Sequence, residues 1–342
     1  MNKFVIDVSQ DGSNTANSKP KDDINFILSN NMGFNIIKLK KYKHDFFDKH
    51  LFIKTRINSV LDKISFKSGD IVIIQYPIYA GKSFEEYLIK YLKNKHLFTI
   101  LLIHDIDTLR GYTGIFKDVK DEVNYINKYD AVIAHNNSMI KLLENNGLSS
   151  TAYPLDVFDY VTKDITFKNS SKYKYEITFA GNLNKSSFIS KLEVKAPLEF
   201  NLYGNIDDKS IINDSLNYHG SVTPDVLANK MGKGFGLVWD GDEINTISGN
   251  LGDYLKYNNP YKLSSYLNSG MPVIVWDKSA VAKFVLDNKI GIVTSNINNL
   301  NDLINNVTDQ EFEEMCENVK NISRKMKDGN YIMKAVNKVL ND

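Results

Sequence analysis

The chain has 342 residues but only one cysteine, Cys316, and six histidines without ligand-like spacing. A lone thiol excludes an internal disulfide framework and any cysteine-based metal site, and no metal is expected. Lys and Arg number 42 against 41 Asp and Glu, a formal net charge of +1. Without a global field of either sign, no nucleic acid partner is expected. No apolar run approaches the roughly 20 residues of a membrane span, so no membrane insertion is expected. Met1-Asn2-Lys3-Phe4 leads directly into a β-rich stretch and lacks the apolar core of a signal peptide. A reduced, cytoplasmic protein is the expectation. Two motifs are also missing. The first strand is not followed by a Gly-x-Gly-x-x-Gly loop, and no Walker lysine loop occurs, which weakens dehydrogenase and kinase readings.

Hydrophobic residues make up 42% and charged residues 24%, a globular balance on a length that fits one large or two ordinary domains. The most informative stretch runs from Asn258 to Val275. Leu263, Tyr266 and Leu267 recur at helical spacing, so Pro260 to Ser269 reads as a short helix with Pro260 in its first turn. Gly270 closes it, and the β-branched run Val273–Val275 reads as a buried parallel strand. A helix N-terminus beside Lys262 favours an anion, and a diphosphate would suit it. An ordinary αβ unit with a surface lysine is the alternative.

Elsewhere strand and helix alternate. Strands are expected at 4–8, 34–39, 70–77, 97–103 and 130–135, with helices at 21–30, 83–92, 116–128 and 138–144. Residues 150–174, with Pro154 and a Lys/Asn/Ser run, read as a break. A second series follows: strands at 175–180, 198–203, 234–240 and 291–294, an extended piece at 218–220, and helices at 186–192, 223–231 and 280–287. From Asn298 the chain is mostly helical. This is the signature of parallel sheets covered on both faces. The expected organisation is an N-terminal Rossmann-like domain over 1–155 and a linker over 156–174. A second Rossmann-like domain follows over 175–325, and a closing helix over 326–342 packs back on the first domain.

Ligands of open parallel sheets bind beyond the carboxyl ends of the strands. In the first half those positions hold residues 11–19, Tyr76-Pro77, His104-Asp105 and His135-Asn136. In the second half they hold Gly181-Asn182 with Lys185, Tyr203-Gly204, Trp239-Asp240-Gly241-Asp242 and Asn259 to Lys262. Glycines admit close backbone approach, lysines supply point charge for phosphate, and an aromatic can stack on a base. His and Asp suit sugar hydroxyls and proton transfer. His104-Asp105 is therefore a candidate catalytic pair, or a polar pair capping a turn. Arg110 reaches the donor or pairs with Asp107. The basic stretch Lys38–Lys43 with His44 and His50 reads as a solvated face or an oligomer contact.

Several of these segments together resemble one bacterial GT-B group. They are Asn259-Pro260-Tyr261-Lys262-Leu263-Ser264 with Leu267–Ile274, Thr15–Lys19, His104-Asp105 with Leu109-Arg110, Phe179–Leu183 with Lys185-Ser186 and Phe188, and Gly236–Gly241 with Gly252–Leu255. The group comprises accessory glucosyltransferases that add a second sugar to N-acetylglucosamine on serine-rich-repeat adhesins, and its members often carry the name β-1,6-galactofuranosyltransferase. The resemblance implies an α/β GT-B fold with two Rossmann-like domains facing across a cleft. It implies a UDP-sugar donor, no metal or other cofactor, a glycosylated adhesin as acceptor, and a homotetramer. Carried onto this chain, Lys185 and Lys262 bind the diphosphate, and Tyr203 and Gly204 flank the uracil. Asn17, Ser18 and Lys19 lie near the donor phosphate or acceptor. Gly181, Asn182, Asp240, Asn259 and Tyr261 complete the donor set, and His104 and Asp105, on the residue chemistry above, are the candidate catalytic pair. Asn17 stands where the family commonly has Gly. Asn258-Asn259 stands where the retaining GT-B motif commonly has a glutamate. Rival readings are a catalytically silent GT-B chaperone or glycan-binding subunit, and an epimerase-like sugar-nucleotide enzyme.

Overall fold

A computed structural model describes residues 1–9, 18–40, 52–162, 166–223, 227 and 230–342. The chain divides into two units, Met1–Leu155 with Ile332–Asp342, and Asp156–Tyr331. Each is built on a six-stranded, wholly parallel sheet.

The first sheet comprises β1 (Lys3–Ser9), β2 (Asn35–Lys40), β3 (Ile71–Tyr76), β4 (Phe98–Ile103), β5 (Ala131–Ala134) and β6 (Thr151–Pro154) in the order 2-1-3-4-5-6. Its helices are α1 (Lys19–Met32), α2 (Ile53–Leu61), α3 (Lys82–Asn94), α4 (Val119–Ile126) and α5 (Asn137–Asn145). All six residues of β3, Ile-Val-Ile-Ile-Gln-Tyr, are buried, because helices cover both faces of a parallel sheet. The order reverses between β1 and β3, and ligands of this topology sit at the carboxyl ends flanking such a reversal.

The second sheet comprises β7 (Glu176–Ala180), β8 (Glu199–Tyr203), β9 (Leu216–Tyr218), β10 (Phe235–Val238), β11 (Val273–Trp276) and β12 (Gly291–Thr294) in the order 12-11-10-7-8-9. Renumbered within the unit this is 3-2-1-4-5-6, the Rossmann order, with its switch point between β7 and β10. The helices are α6 (Gly249–Tyr254), α7 (Tyr261–Asn268), α8 (Ala282–Asp287), α9 (Leu300–Asn305) and α10 (Asp309–Lys327). The last helix, α11 (Asn330–Asn341), lies mostly in the first unit. Alternation along the strands builds two cores. Leu237 and Ile274 join one cluster, while Val238, Val273 and Val275 join the other. That two-sided burial is why these strands read as unbroken apolar runs.

Helix α7 has Pro260 as its N-cap (φ −63°, ψ 129°), one position outside the expected first turn. Its end is a Schellman motif. The Gly270 N–H donates to the Leu267 carbonyl and the Met271 N–H to the Tyr266 carbonyl, both at 3.1 Å, with Gly270 at φ +82°. Other differences have local causes. The helix expected over 116–128 is shorter because Asp118 caps it, accepting from the Asp121 N–H at 2.8 Å. Residues 186–192 form a 3₁₀ segment, Ser187–Lys191. The extended piece sits two residues earlier than expected, at Leu216–Tyr218. Within the break at 150–174, Thr151–Pro154 is an edge strand paired to β5, where proline is tolerated. Residues 156–162 and 166–174 belong to the second unit. There the buried Asn169 side chain bonds the Gly234 carbonyl and N–H at 2.9 and 2.8 Å and the Gly270 carbonyl at 3.2 Å. The loop before α1 through Asn17, the basic stretch from Lys41 to His50, and most of the helix expected over 223–231 lie outside the described residues.

Candidate functional site

In the second unit the turns after β7 and β10 carry the polar cluster. Lys262, on the first turn of α7, donates from Nζ to Asp240 Oδ1 at 2.8 Å and to the Trp239 carbonyl at 3.1 Å. Its ammonium also lies 4.6 Å from the Phe179 ring centroid, a cation–π contact. Two of its three donors are thus turned to the end of β10, and its charge sits at the switch point. Asp240 is the residue it pairs with, so these two expected site residues meet directly. Tyr266, one turn further along α7, accepts the Ala180 N–H at 2.7 Å through its phenol oxygen. This ties α7 to the end of β7. A Cβ on Gly236 would fall 2.3 Å from Tyr266 Cγ, so only glycine lets the helix approach β10 this closely.

The β7 turn is similarly constrained. The Gly181 N–H donates to the Tyr203 carbonyl at 3.0 Å, and the Leu183 N–H to the Asn205 carbonyl at 3.1 Å. Asn182 caps a 3₁₀ turn, Leu183–Lys185, by accepting from the Asn184 N–H at 3.1 Å, and exposed Lys185 ends it. Gly204 has φ +148°, and a Cβ there would lie 1.8 Å from the Gly181 carbonyl oxygen. The turns after β7 and β8 touch backbone to backbone, which explains the glycine at 204; a Cβ on Gly181 would meet only the Phe179 ring, at 4.0 Å. Tyr203 is nearly buried, and His219 stacks on its ring at 4.7 Å and 16°. His219 is held through Nε2 by Asn201 Oδ1 at 2.7 Å. Tyr261 packs on Tyr160 (5.1 Å, 23°) and edge-on to Phe158, and Asn259 is buried at the start of the same turn.

In the first unit, His104 follows β4, and its Nε2 lies 2.7 Å from Gln75 Oε1. The Gln75 amide donates from Nε2 to Asn25 Oδ1 at 2.8 Å and to the Lys21 carbonyl at 3.2 Å. Its oxygen therefore faces the imidazole, so His104 carries its proton on Nε2 and its lone pair on Nδ1. Burial, with smaller contributions from Lys21 and His135, holds the His104 pKa well below the usual imidazole value, so the ring is neutral near pH 7. His135 is buried and donates to the His104 carbonyl at 3.0 Å, and burial pushes its pKa down to about 3. Its neighbour Asn136 is the N-cap of α5. Asp105 pairs with Arg110 at 2.9 Å, and Arg110 also reaches Asp107 at 3.4 Å. Ser18 is the N-cap of α1 and Lys19 pairs with Asp23 at 2.9 Å, while Asn17 lies outside the described residues.

Glu122 was invisible to the sequence reading. It is fully buried on α4 and accepts from the Asp107 and Thr108 N–H groups at 3.1 and 3.0 Å, from Thr108 Oγ1 at 2.5 Å and from the Tyr76 hydroxyl at 2.6 Å. One carboxylate thus anchors the loop bearing Asp105 and Arg110. Gln75 was missed too. A polar residue closing the apolar run Ile71–Ile74 was the one signal for it.

Among the described residues, no group of three or more His, Cys, Asp or Glu side chains is arranged to hold a metal ion, and no helix is long and apolar enough to cross a membrane.

Two doubly wound parallel sheets in one chain, each with polar residues at its strand carboxyl ends, are the architecture of the GT-B fold. The chain belongs to the Glucosyltransferase 3-like family, whose N-terminal domain model matches residues 2–155 and whose C-terminal domain model matches residues 177–339. It is 35% identical over 283 residues to the β-1,6-galactofuranosyltransferase WbbI of Escherichia coli K12, with 81% of each protein covered. It is 28% identical over 285 residues to Glucosyltransferase 3 of Streptococcus parasanguinis, with 82% of each covered. Among solved structures, the sucrose-phosphate synthase of Thermosynechococcus elongatus superposes with a TM-score of 0.61 at 9% identity. That match covers 100% of this chain and 98% of the other, a likeness of fold alone.

Proposed function

We propose that the chain transfers glucose from UDP-glucose to N-acetylglucosamine on a serine-rich adhesin, without a metal ion. The observation that carries the donor half is the Lys262 ammonium at the switch point of the second sheet, with Lys185 in the adjoining turn. In the reaction an acceptor hydroxyl attacks the anomeric carbon and the bond from that carbon to the diphosphate oxygen breaks. UDP then leaves with the negative charge that Lys262, Lys185 and the N–H groups of the first turn of α7 neutralise. Gly181 and Gly204 let the nucleotide approach the backbone, Asn182 and Asn259 line the same turns, and Tyr203 lies beside the base. Tyr261 holds α7 in place through its packing on Tyr160. The acceptor proton passes to His104 Nδ1, the lone-pair nitrogen, with Asp105 orienting the hydroxyl. Ser18 and Lys19 serve the donor phosphate or the acceptor.

The sugar has a second reading, favoured by the 35% identical relative, whose name gives galactofuranose where the streptococcal relative's gives glucose. Purified protein offered UDP-glucose or UDP-galactofuranose, with an N-acetylglucosaminyl-serine peptide and excess EDTA, decides both questions. Transfer of glucose in EDTA is the expected product. Transfer of galactofuranose alone replaces the donor, and loss of transfer in EDTA removes the metal-free mechanism. A silent subunit would neither transfer nor hydrolyse either donor.

A further inference from the structure

Two tyrosines of the first unit stand out against its polar rim. Tyr79 follows β3 and Tyr112 follows the loop after β4, and each is 45% exposed. Both flank one guanidinium. Arg110 Nη1 lies 3.5 Å from the Tyr79 hydroxyl, and Arg110 Cζ lies 5.2 Å from the Tyr112 ring centroid. The same guanidinium pairs with Asp105 and Asp107, and the Tyr79 hydroxyl donates to Asp107 Oδ1 at 3.2 Å. Tyr79 adopts φ +57°, a conformation that bulky residues seldom take. Beneath the loop, buried Glu122 fixes the Asp107 and Thr108 N–H groups.

An exposed ring that is held in place has already lost the motion that binding would otherwise cost. Its surroundings select the ligand. Asp105 and Asp107 are balanced by the Arg110 guanidinium and by Lys21, whose Nζ lies 5.8 Å from the Tyr79 ring centroid, so the patch has no net charge and suits an uncharged ligand. Two carboxylates and a guanidinium match a ring of hydroxyls, which accept and donate by turns. The C–H face of a pyranose matches an aromatic ring. The position, at the carboxyl ends of β3 and β4, is where ligands of such a sheet bind.

We infer that Tyr79 and Tyr112 form a stacking platform for a pyranose of the acceptor, with Asp105 and Arg110 engaging its hydroxyls. This rests on the transferase reading above and adds the acceptor subsite to it. The test uses the full chain and three probes in calorimetry: UDP, UDP-glucose, and an N-acetylglucosaminyl-serine peptide added at saturating UDP. The variants are Tyr79→Ala, Tyr112→Ala and Tyr112→Phe, with unchanged melting temperature as the control for folding. Each alanine variant is expected to weaken glycopeptide binding about 5-fold or more, with UDP and UDP-glucose unaffected and the phenylalanine variant close to wild type. Equal glycopeptide binding by wild type and both alanine variants overturns the platform while leaving the donor site intact. Weaker UDP-glucose binding with unchanged UDP and glycopeptide binding assigns the rings to the donor sugar and also overturns it. No UDP binding by the wild type defeats the transferase reading itself, and the platform with it.

Discussion

Glu85 gives a prediction whose size follows from its surroundings. It lies on α3, is 1% exposed, and neither carboxyl oxygen has a hydrogen-bond partner. The nearby Tyr125 hydroxyl lies 2.8 Å from the Tyr129 hydroxyl, and either can be the donor of that bond. Burial raises the Glu85 pKa from 4.5 to about 7, opposed by Tyr125 and Lys21 and assisted by Asp107 and Glu122. The folded state therefore binds this proton more tightly than the unfolded chain. Its contribution to stability is intact below the unfolded pKa, falls as pH rises from about 4.5 to about 7, and is then level. A difference of roughly 2.5 units corresponds to about 3 kcal/mol. Glu85→Gln removes the ionisation and keeps the shape. In urea melts the variant should gain about 3 kcal/mol on the wild type between about pH 4.5 and pH 8, whatever fixed offset the amide adds. Titrations of groups that do not interact with Glu85 cancel in the difference. A stability difference independent of pH would refute the reasoning.

Other perturbations test separate parts of the account. Gly236→Ala drives a Cβ into the Tyr266 ring and should cost about 1–3 kcal/mol or more by urea melt, with weakened UDP binding because α7 shifts. Thr308 caps α10 in a capping box with Glu311, so Thr308→Ala should lower stability by about 1 kcal/mol and leave transfer unchanged. His135 is buried and neutral with its pKa pushed down to about 3, so its contribution is present above the unfolded value near 6.5 and lost as pH falls below it. His135→Asn should flatten that acid limb of stability. Gln75→Leu frees the His104 tautomer and should lower kcat while leaving UDP affinity unchanged in calorimetry.

The architecture was legible because both sheets are buried on two sides, so each central strand announces itself as an apolar run, as in Ile71–Ile74 and Val273–Val275. The α7 turn was legible for the same reason, and Gly270 marked its end. Short edge elements were harder. β6 contains Pro154 and has one buried side chain, so its composition matches a loop. Around the candidate site, the placement of single residues at strand ends was legible but their pairings were not. Lys262 was readable as a cation at a helix start, yet its partner Asp240 lies 22 positions away, and only the sheet brings them together. Glu122 and Gln75 act through contacts 14 to 54 positions distant, which leave no local pattern.

In the proposed reaction the second unit grips a diphosphate through Lys262. Calorimetry of UDP with wild type and Lys262→Ala tests it most directly. Loss of a charge-assisted contact worth about 2 kcal/mol should raise the UDP dissociation constant about 30-fold, with the melting temperature of the free protein nearly unchanged. Equal UDP affinity in the two proteins would contradict the claim.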